Sequence, residues 1–175
     1  MPLQKEQDFY DLALRYCSRR ETSAFKMKQY LTRKFKEWHP EQAKSEPLDL
    51  NEPWWMQAIE ATLNKLKDRQ IINDQRYAEI LRREYERRGK GKRYIQLKLK
   101  EKGLEPSFSQ YEADPERELE AAISVASKQL QRSQMTKITD RFLLKRKLLQ
   151  KLVSSGFDFD IAQRAVASIL LTHNK

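Results

Sequence analysis

Two histidines, one cysteine and several closely spaced carboxylates are the residues with which this 175-residue chain could do covalent or metal chemistry. His39 lies in an acidic, proline-bearing stretch and His173 lies near the C-terminus, so neither meets a second ligand or an orienting carboxylate at useful spacing. Cys17 falls on an apolar stripe, where a packed thiol is expected. Standing alone, it forms no internal disulfide and suits a reducing cytosol. Glu84 with Glu86, and Glu116 with Glu118, are two residues apart, a spacing that does not converge on one helix face. The run RRGKGKRY from Arg87 to Tyr94 invites a phosphate-loop reading. No strand precedes it, the spacing fails, and no Ser or Thr follows the Lys. The expectation is a protein that is not an enzyme and holds no metal and no cofactor.

Positive charge is what the chain offers instead. Lys and Arg number 35 against 25 Asp and Glu, a net charge of +10, and the isoelectric point is about 9.7. Such a balance points to nucleic acid, a nucleoprotein or an anionic membrane as partner. Basic clusters recur at Lys26–Lys36, Arg82–Lys102 and Lys145–Lys151. Within and beside them the candidate partner-binding residues are Arg19, Arg20, Lys26, Lys28, Lys34, Arg82, Arg83, Arg87, Arg88, Lys90, Lys92, Arg93, Lys98, Lys145, Arg146 and Lys147. Trp54 and Tyr94 could stack on bases. A membrane role is set aside. The polar helix faces lack the Trp, Phe and Leu that would insert, no run approaches a span of roughly 20 apolar residues, and MPLQKEQDFY has no apolar signal core.

The elements that must carry these charges read as helices. Apolar residues make up 39% and charged residues 34%, against typical values of roughly 45–50% and 25%. That balance favours thin helical layers. With 4 Gly and 6 Pro there are too few turn residues for a β protein. Phe9, Leu12, Ala13, Tyr16 and Cys17 form one stripe between Gln4 and Arg19. Thr22 or Ser23 then caps a helix with Ala24, Met27, Leu31, Phe35 and Trp38 inward, and His39–Glu52 reads as an aperiodic acidic insertion. Pro53 opens a helix that buries Trp55, Ile59, Leu63 and Leu66.

In the central stretch Asp74 is the expected cap of a helix through Ala78 and Leu81. Gly89 and Gly91 break the chain, and Lys92–Lys102 follows. Ile95, Leu97 and Leu99 alternate like a strand, yet the good helix formers and the stop at Gly103-Leu104 favour helix, with Ile95 and Leu99 buried one turn apart. A short helix is expected around Phe108 and Tyr111. Asp114-Pro115-Glu116 starts a helix that buries Leu119, Ala122, Ile123, Ala126 and Leu130. Thr139 or Asp140 caps another, with Phe142, Leu149, Leu152 and Val153 inward and a stop at Gly156-Phe157. Asp158 or Asp160 starts the last, burying Ile161, Ala165, Val166 and Ile169.

These helices fall into three groups of three, with a basic second helix in each and matching Gly-plus-apolar stops in the second and third. The fold expected is all-α, an elongated tandem array of three three-helix repeats: 1–73 with the insertion 39–52, then 74–113, then 114–175. Helices of about 15 residues at 1.5 Å per residue make three stacked units on the order of 70 Å long.

The residues RRETS at Arg19–Ser23, IINDQRYA at Ile71–Ala78, RRGKGKRYIQLKLKEKGL at Arg87–Leu104 and KRKLLQKLVSSGF at Lys145–Phe157 resemble the RecX family of regulatory proteins. The resemblance runs from about Leu12 to Leu170. It implies tandem three-helix repeats and a monomer in the cytoplasm that binds the RecA recombinase filament on single-stranded DNA. It also implies inhibition of recombinase, ATPase and co-protease activities, and with it modulation of DNA repair and the SOS response. Thr22 stands where the family often has His, Gln70 stands where a C-cap Gly is common, and the 39–52 insertion is longer and more acidic than usual. The alternative from another class is a sequence-nonspecific nucleic-acid-binding helical module. Charge spread over the whole array, not concentrated on one recognition helix, disfavours it.

Overall fold

Every regular element among the described residues is helical. The computed structural model describes residues 6–44, 53–105, 114–132 and 141–172. In chain order the helices are α1 (Glu6–Cys17), α2 (Ala24–Trp38), α3 (Pro40–Lys44), α4 (Trp54–Asp68), α5 (Asp74–Arg87), α6 (Lys92–Glu101), α7 (Pro115–Arg132), α8 (Arg141–Ser154) and α9 (Phe159–Thr172). The chain divides into two compact units, one of Met1–Tyr77 with Lys102–Leu104, the other of Ala78–Glu101 with Glu105–Lys175.

In the first unit α1, α2 and α4 close around one core. Phe9 and Ala13 come from α1, Met27, Leu31 and Phe35 from α2, and Trp55, Ile59, Leu63 and Leu66 from α4. The Phe35 ring is the hinge of this core. It stacks on Trp55 at 4.7 Å and on His39 at 4.9 Å between centroids, and lies 6.1 Å from Phe9. Trp54 meets Phe9 and Phe35 edge-on at 6.2 and 5.9 Å while staying half exposed. Trp38, expected inward, is 40% exposed, because the helix ends at His39 and the imidazole takes the place over Phe35. The insertion is not wholly irregular, since Pro40–Lys44 is a short helix. Its remainder, 45–52, lies outside the described residues, as do Phe108, Tyr111, Thr139, Asp140 and His173.

The capping of α5 also differs from expectation. Asn73 is the cap, its Oδ1 accepting from the Arg76 N–H at 2.9 Å. The Asp74 carboxylate turns the other way and accepts from the Ala24 N–H at 2.9 Å, the first free donor of α2. One acidic residue thereby satisfies an orphan donor on a helix 50 positions earlier. Gln70 closes α4 with φ 54, the one non-glycine among the described residues at positive φ. It stands where the family resemblance noted a missing glycine.

In the second unit α7, α8 and α9 share a core of Ala122, Ala126, Leu130, Leu144, Leu148, Leu152, Phe157 and residues of α9 from Ile161 to Ile169. Ala122, Ala126, Ala162 and Ala165 are fully buried, and such small side chains let the α7 and α9 backbones approach closely. The inward face of α8 is the expected one only at Leu152, which is buried, and at Leu149, which packs against the core. Phe142 is 76% and Val153 45% exposed, while Leu144, Leu148 and Leu152 are buried. The seam is rotated by roughly 100°, one residue's turn. Leucines recur at four-residue spacing on that row, and apolar residues on the other flank left the sequence two stripes to choose from.

Ala78 and Leu81 on α5, and Ile95 and Leu99 on α6, are buried. Leu97 is 55% exposed, so the period of α6 is helical and its strand-like alternation was incidental. Gly103 and Gly156 take φ +67 and +90, and Leu104 and Phe157 are each 2% exposed behind them. Both stops are built as the sequence indicated.

Candidate functional site

The turn between α5 and α6 concentrates the most charge in the fewest residues. Gly89 bends it with φ +70. Its backbone donors are fully engaged: Gly89 N–H to Glu86 O at 2.8 Å, Lys90 N–H to Tyr85 O at 3.0 Å, Gly91 N–H to Ser155 O at 2.9 Å and Arg93 N–H to Gly156 O at 3.0 Å. The Lys92 N–H donates to Glu118 Oε1 at 3.3 Å. A phosphate loop needs such groups open towards the ligand. Any anion here must be met by side chains.

Most candidate cations already have partners. On α5 and just after it, Arg88 bonds Glu84 at 2.5 Å, Arg82 bonds Glu86 at 2.9 Å, and Arg83 lies 3.6 Å from Glu79. Arg93 pairs with Asp158 and Lys28 with Glu60. Lys34 bonds Glu37 at 2.6 Å, which holds that carboxyl below its usual range, and Lys98 bonds Glu101 at 2.7 Å, which raises the ammonium. Exposed pairs of this kind contribute little to stability, so their main effect is to quench the local field. Arg20 lies over the Tyr16 ring at 5.2 Å, Lys26 bonds Gln29 at 3.0 Å, and Lys90 sits 4.5 Å above Tyr94. Arg19, Arg87, Lys145, Arg146 and Lys147 are exposed, and no carboxylate among the described residues pairs with them.

The candidates divide between the two units. Arg19, Arg20, Lys26, Lys28 and Lys34 belong to the first, and the remainder from Arg82 to Lys147 belong to the second. In the first unit Lys28 joins Arg33 and Lys36 along an outer groove of α2, about 660 Å³ in volume. In the second, Arg87, Arg88 and Lys90 come together with Lys128 and Lys151 around a cleft of about 340 Å³. Lys145, Arg146 and Lys147 are not among its lining residues. Lys128 was missed from sequence, where α7 was read only for its apolar face. Lys151 was seen within its cluster but not assigned to the surface. Tyr94 packs edge-on against Tyr85 at 5.5 Å, with Lys90 and Lys98 over its ring.

Burial, with a smaller contribution from Glu21, pushes the Cys17 thiol up and away from the thiolate. Among the described residues no group of three His, Cys, Asp or Glu side chains could hold a metal ion. None of the described helices is long and apolar enough to cross a membrane.

Residues 73–108 match the RecX second three-helix domain. Over 95% of the chain the fold is similar to that of RecX from Lactobacillus salivarius, at 23% identity and a TM-score of 0.66, covering 97% of that protein. A second solved structure, a regulatory protein RecX, matches 89% of this chain and 68% of its own length at 22% identity and a TM-score of 0.66. No curated protein matches the sequence.

Proposed function

The domain match and the shared fold support a RecX family protein, and from that premise we propose that it binds the RecA filament on single-stranded DNA and inhibits its recombinase, ATPase and co-protease activities. The observation that carries this reading is the coincidence of the matched stretch with the densest basic segment: Arg82, Arg83, Arg87, Arg88, Lys90, Lys92, Arg93 and Lys98 all lie within residues 73–108. The protein acts as a cytoplasmic monomer without cofactor, as a regulator and not an enzyme. Its repeats are 1–73, 74–113 and 114–175. They lie along the groove of the filament and meet neighbouring recombinase subunits or the DNA backbone between them. Occupying that groove excludes incoming duplex and the repressor substrate. Weak contacts spread over linked repeats gain from effective concentration only where partner sites recur at matching spacing.

Titrating the protein into RecA filaments on single-stranded DNA, with ATP hydrolysis and strand exchange as readouts, tests this. Inhibition well below a one-to-one ratio to recombinase is expected. If bare DNA binds as tightly as filament, and inhibition begins only when the protein coats the DNA, the general nucleic-acid-binding module replaces the filament regulator.

A further inference from the structure

In the second unit the α5–α6 turn, α7 and α8 enclose the cleft of about 340 Å³, with Arg87, Arg88, Lys90, Lys128 and Lys151 facing one carboxylate, Glu86. That carboxylate is already held by Arg82 at 2.9 Å, with Arg117 at 3.9 Å. Arg88 is engaged by Glu84. Arg87, Lys128 and Lys151 are exposed, with no carboxylate partner among the described residues. The cleft thus keeps an uncompensated positive field in a concave setting, where it is screened less than on a flat face. Its position is fixed, because a Cβ on Gly89 would come 2.7 Å from Val125 Cγ2, so the turn sits directly on α7.

We infer that this cleft holds a phosphodiester of a nucleic-acid strand, with Arg87, Lys128 and Lys151 as its direct ligands. The lining is mostly polar and offers no large apolar pocket of the kind that anchors a protein partner. Lys90 links the cleft to the half-buried Tyr94, whose ring packs on Tyr85, so an aromatic surface adjoins the cations. Cations beside an aromatic platform are the combination that single strands favour. The inference rests on the nucleoprotein reading above but narrows it, because it assigns this part of the surface to DNA and not to recombinase.

The test uses the full chain with a labelled oligothymidylate across a salt series. A Lys128→Gln, Lys151→Gln variant should bind roughly tenfold more weakly at low salt and flatten the slope of log affinity on log salt by about 0.7 for each phosphate no longer held. A charge-matched control, Lys67→Gln with Arg164→Gln, should lose much less. Helicity by circular dichroism should match wild type in both, since all four side chains are exposed. Equal losses in the two variants would overturn the assignment. So would unchanged DNA binding with weakened binding to DNA-free recombinase, which would mark the cleft as a surface for protein. Failure of filament inhibition with the oligonucleotide result intact would sink the filament reading and leave the cleft standing.

Discussion

The start of α2 and the start of α6 each dock on a glycine stop further along the chain. At the first, Ser23 donates its hydroxyl to Lys102 O at 2.5 Å and accepts from the Lys26 N–H at 3.2 Å, while Asp74 takes the Ala24 N–H. At the second, the Gly91 and Arg93 N–H groups donate to Ser155 O and Gly156 O, and Glu118 takes the Lys92 N–H. An aromatic residue in the first turn, Phe25 or Tyr94, lies against the glycine in each case. The plan is shared and the atoms differ. Side chains make the first junction, whereas the second is backbone on backbone. The second is therefore less tolerant of added atoms, and it holds the turn that frames the basic cleft.

That difference predicts unequal costs for the same substitution. Alanine at Gly156 meets positive φ and places Cβ 2.5 Å from Tyr94 N, which cannot move without the helix. We expect a loss of about 3 kcal/mol, from left-handed strain plus overpacking. Gly91→Ala adds no such strain, but its Cβ falls 2.5 Å from the Gly156 carbonyl and Phe157 N, which should cost about 2 kcal/mol. Alanine at Gly103 also meets positive φ and brings its Cβ against Cβ and Cγ of Phe25; turning the exposed ring moves the far atoms but not Cβ, so about 2 kcal/mol is expected. Urea unfolding followed by circular dichroism measures all three. Equal losses at Gly103 and Gly156 would erase the distinction between the junctions.

Ser23→Ala should cost about 1–2 kcal/mol, because the hydroxyl is fully buried and serves both a carbonyl and a helix N–H. Ser23→Thr keeps a hydroxyl for both bonds but adds a methyl at a fully buried site, so it should recover only part of that loss.

The helices and their stops were legible in the sequence because they depend on neighbours three to five residues away. The stripes of α1, α2, α4 and α7, the glycines at 103 and 156, and the Ile95–Leu99 pair all depend on that range. What was not legible depends on partners far along the chain. Asp74 looked like a local cap because nothing near it reveals the Ala24 N–H. Trp38 looked buried because the imidazole after it does not advertise that it will cover Phe35. On α8 two apolar stripes competed, and only the placement of α7 and α9 decides between them. The basic surface was read by counting charges, and pairing them would have corrected the count. Glu79 with Arg83 and Glu84 with Arg88 stand at the four-residue spacing that predicts mutual neutralisation. Lys128 and Lys151 reach the turn only through the folded arrangement of the second unit.

The smallest effect expected concerns Glu118, the titratable group of the second junction. It is 8% exposed, and burial raises its carboxyl above the usual range. The Lys92 N–H pulls the other way, and Asp158 nearby adds to the rise. The folded chain consequently holds the Glu118 proton to higher pH than the unfolded chain does. Between the ordinary carboxylate pKa and the raised one, folding is favoured by the proton, so the stability tied to this group is greatest below that window. It falls as pH rises through the window and then stays level. Glu118→Gln keeps an oxygen for the Lys92 N–H and removes the titration. Its stability relative to wild type should therefore increase from acid to neutral pH, as measured by urea midpoints at matched salt. The sign separates two accounts of this residue. If Glu118 acted chiefly as an ion-pair partner of Lys92, its carboxyl would be stabilised as the anion and the variant would lose ground towards neutral pH. A relative gain means that burial outweighs the attraction, and that the second junction carries a desolvation cost in exchange for fixing the start of α6 beside the cleft.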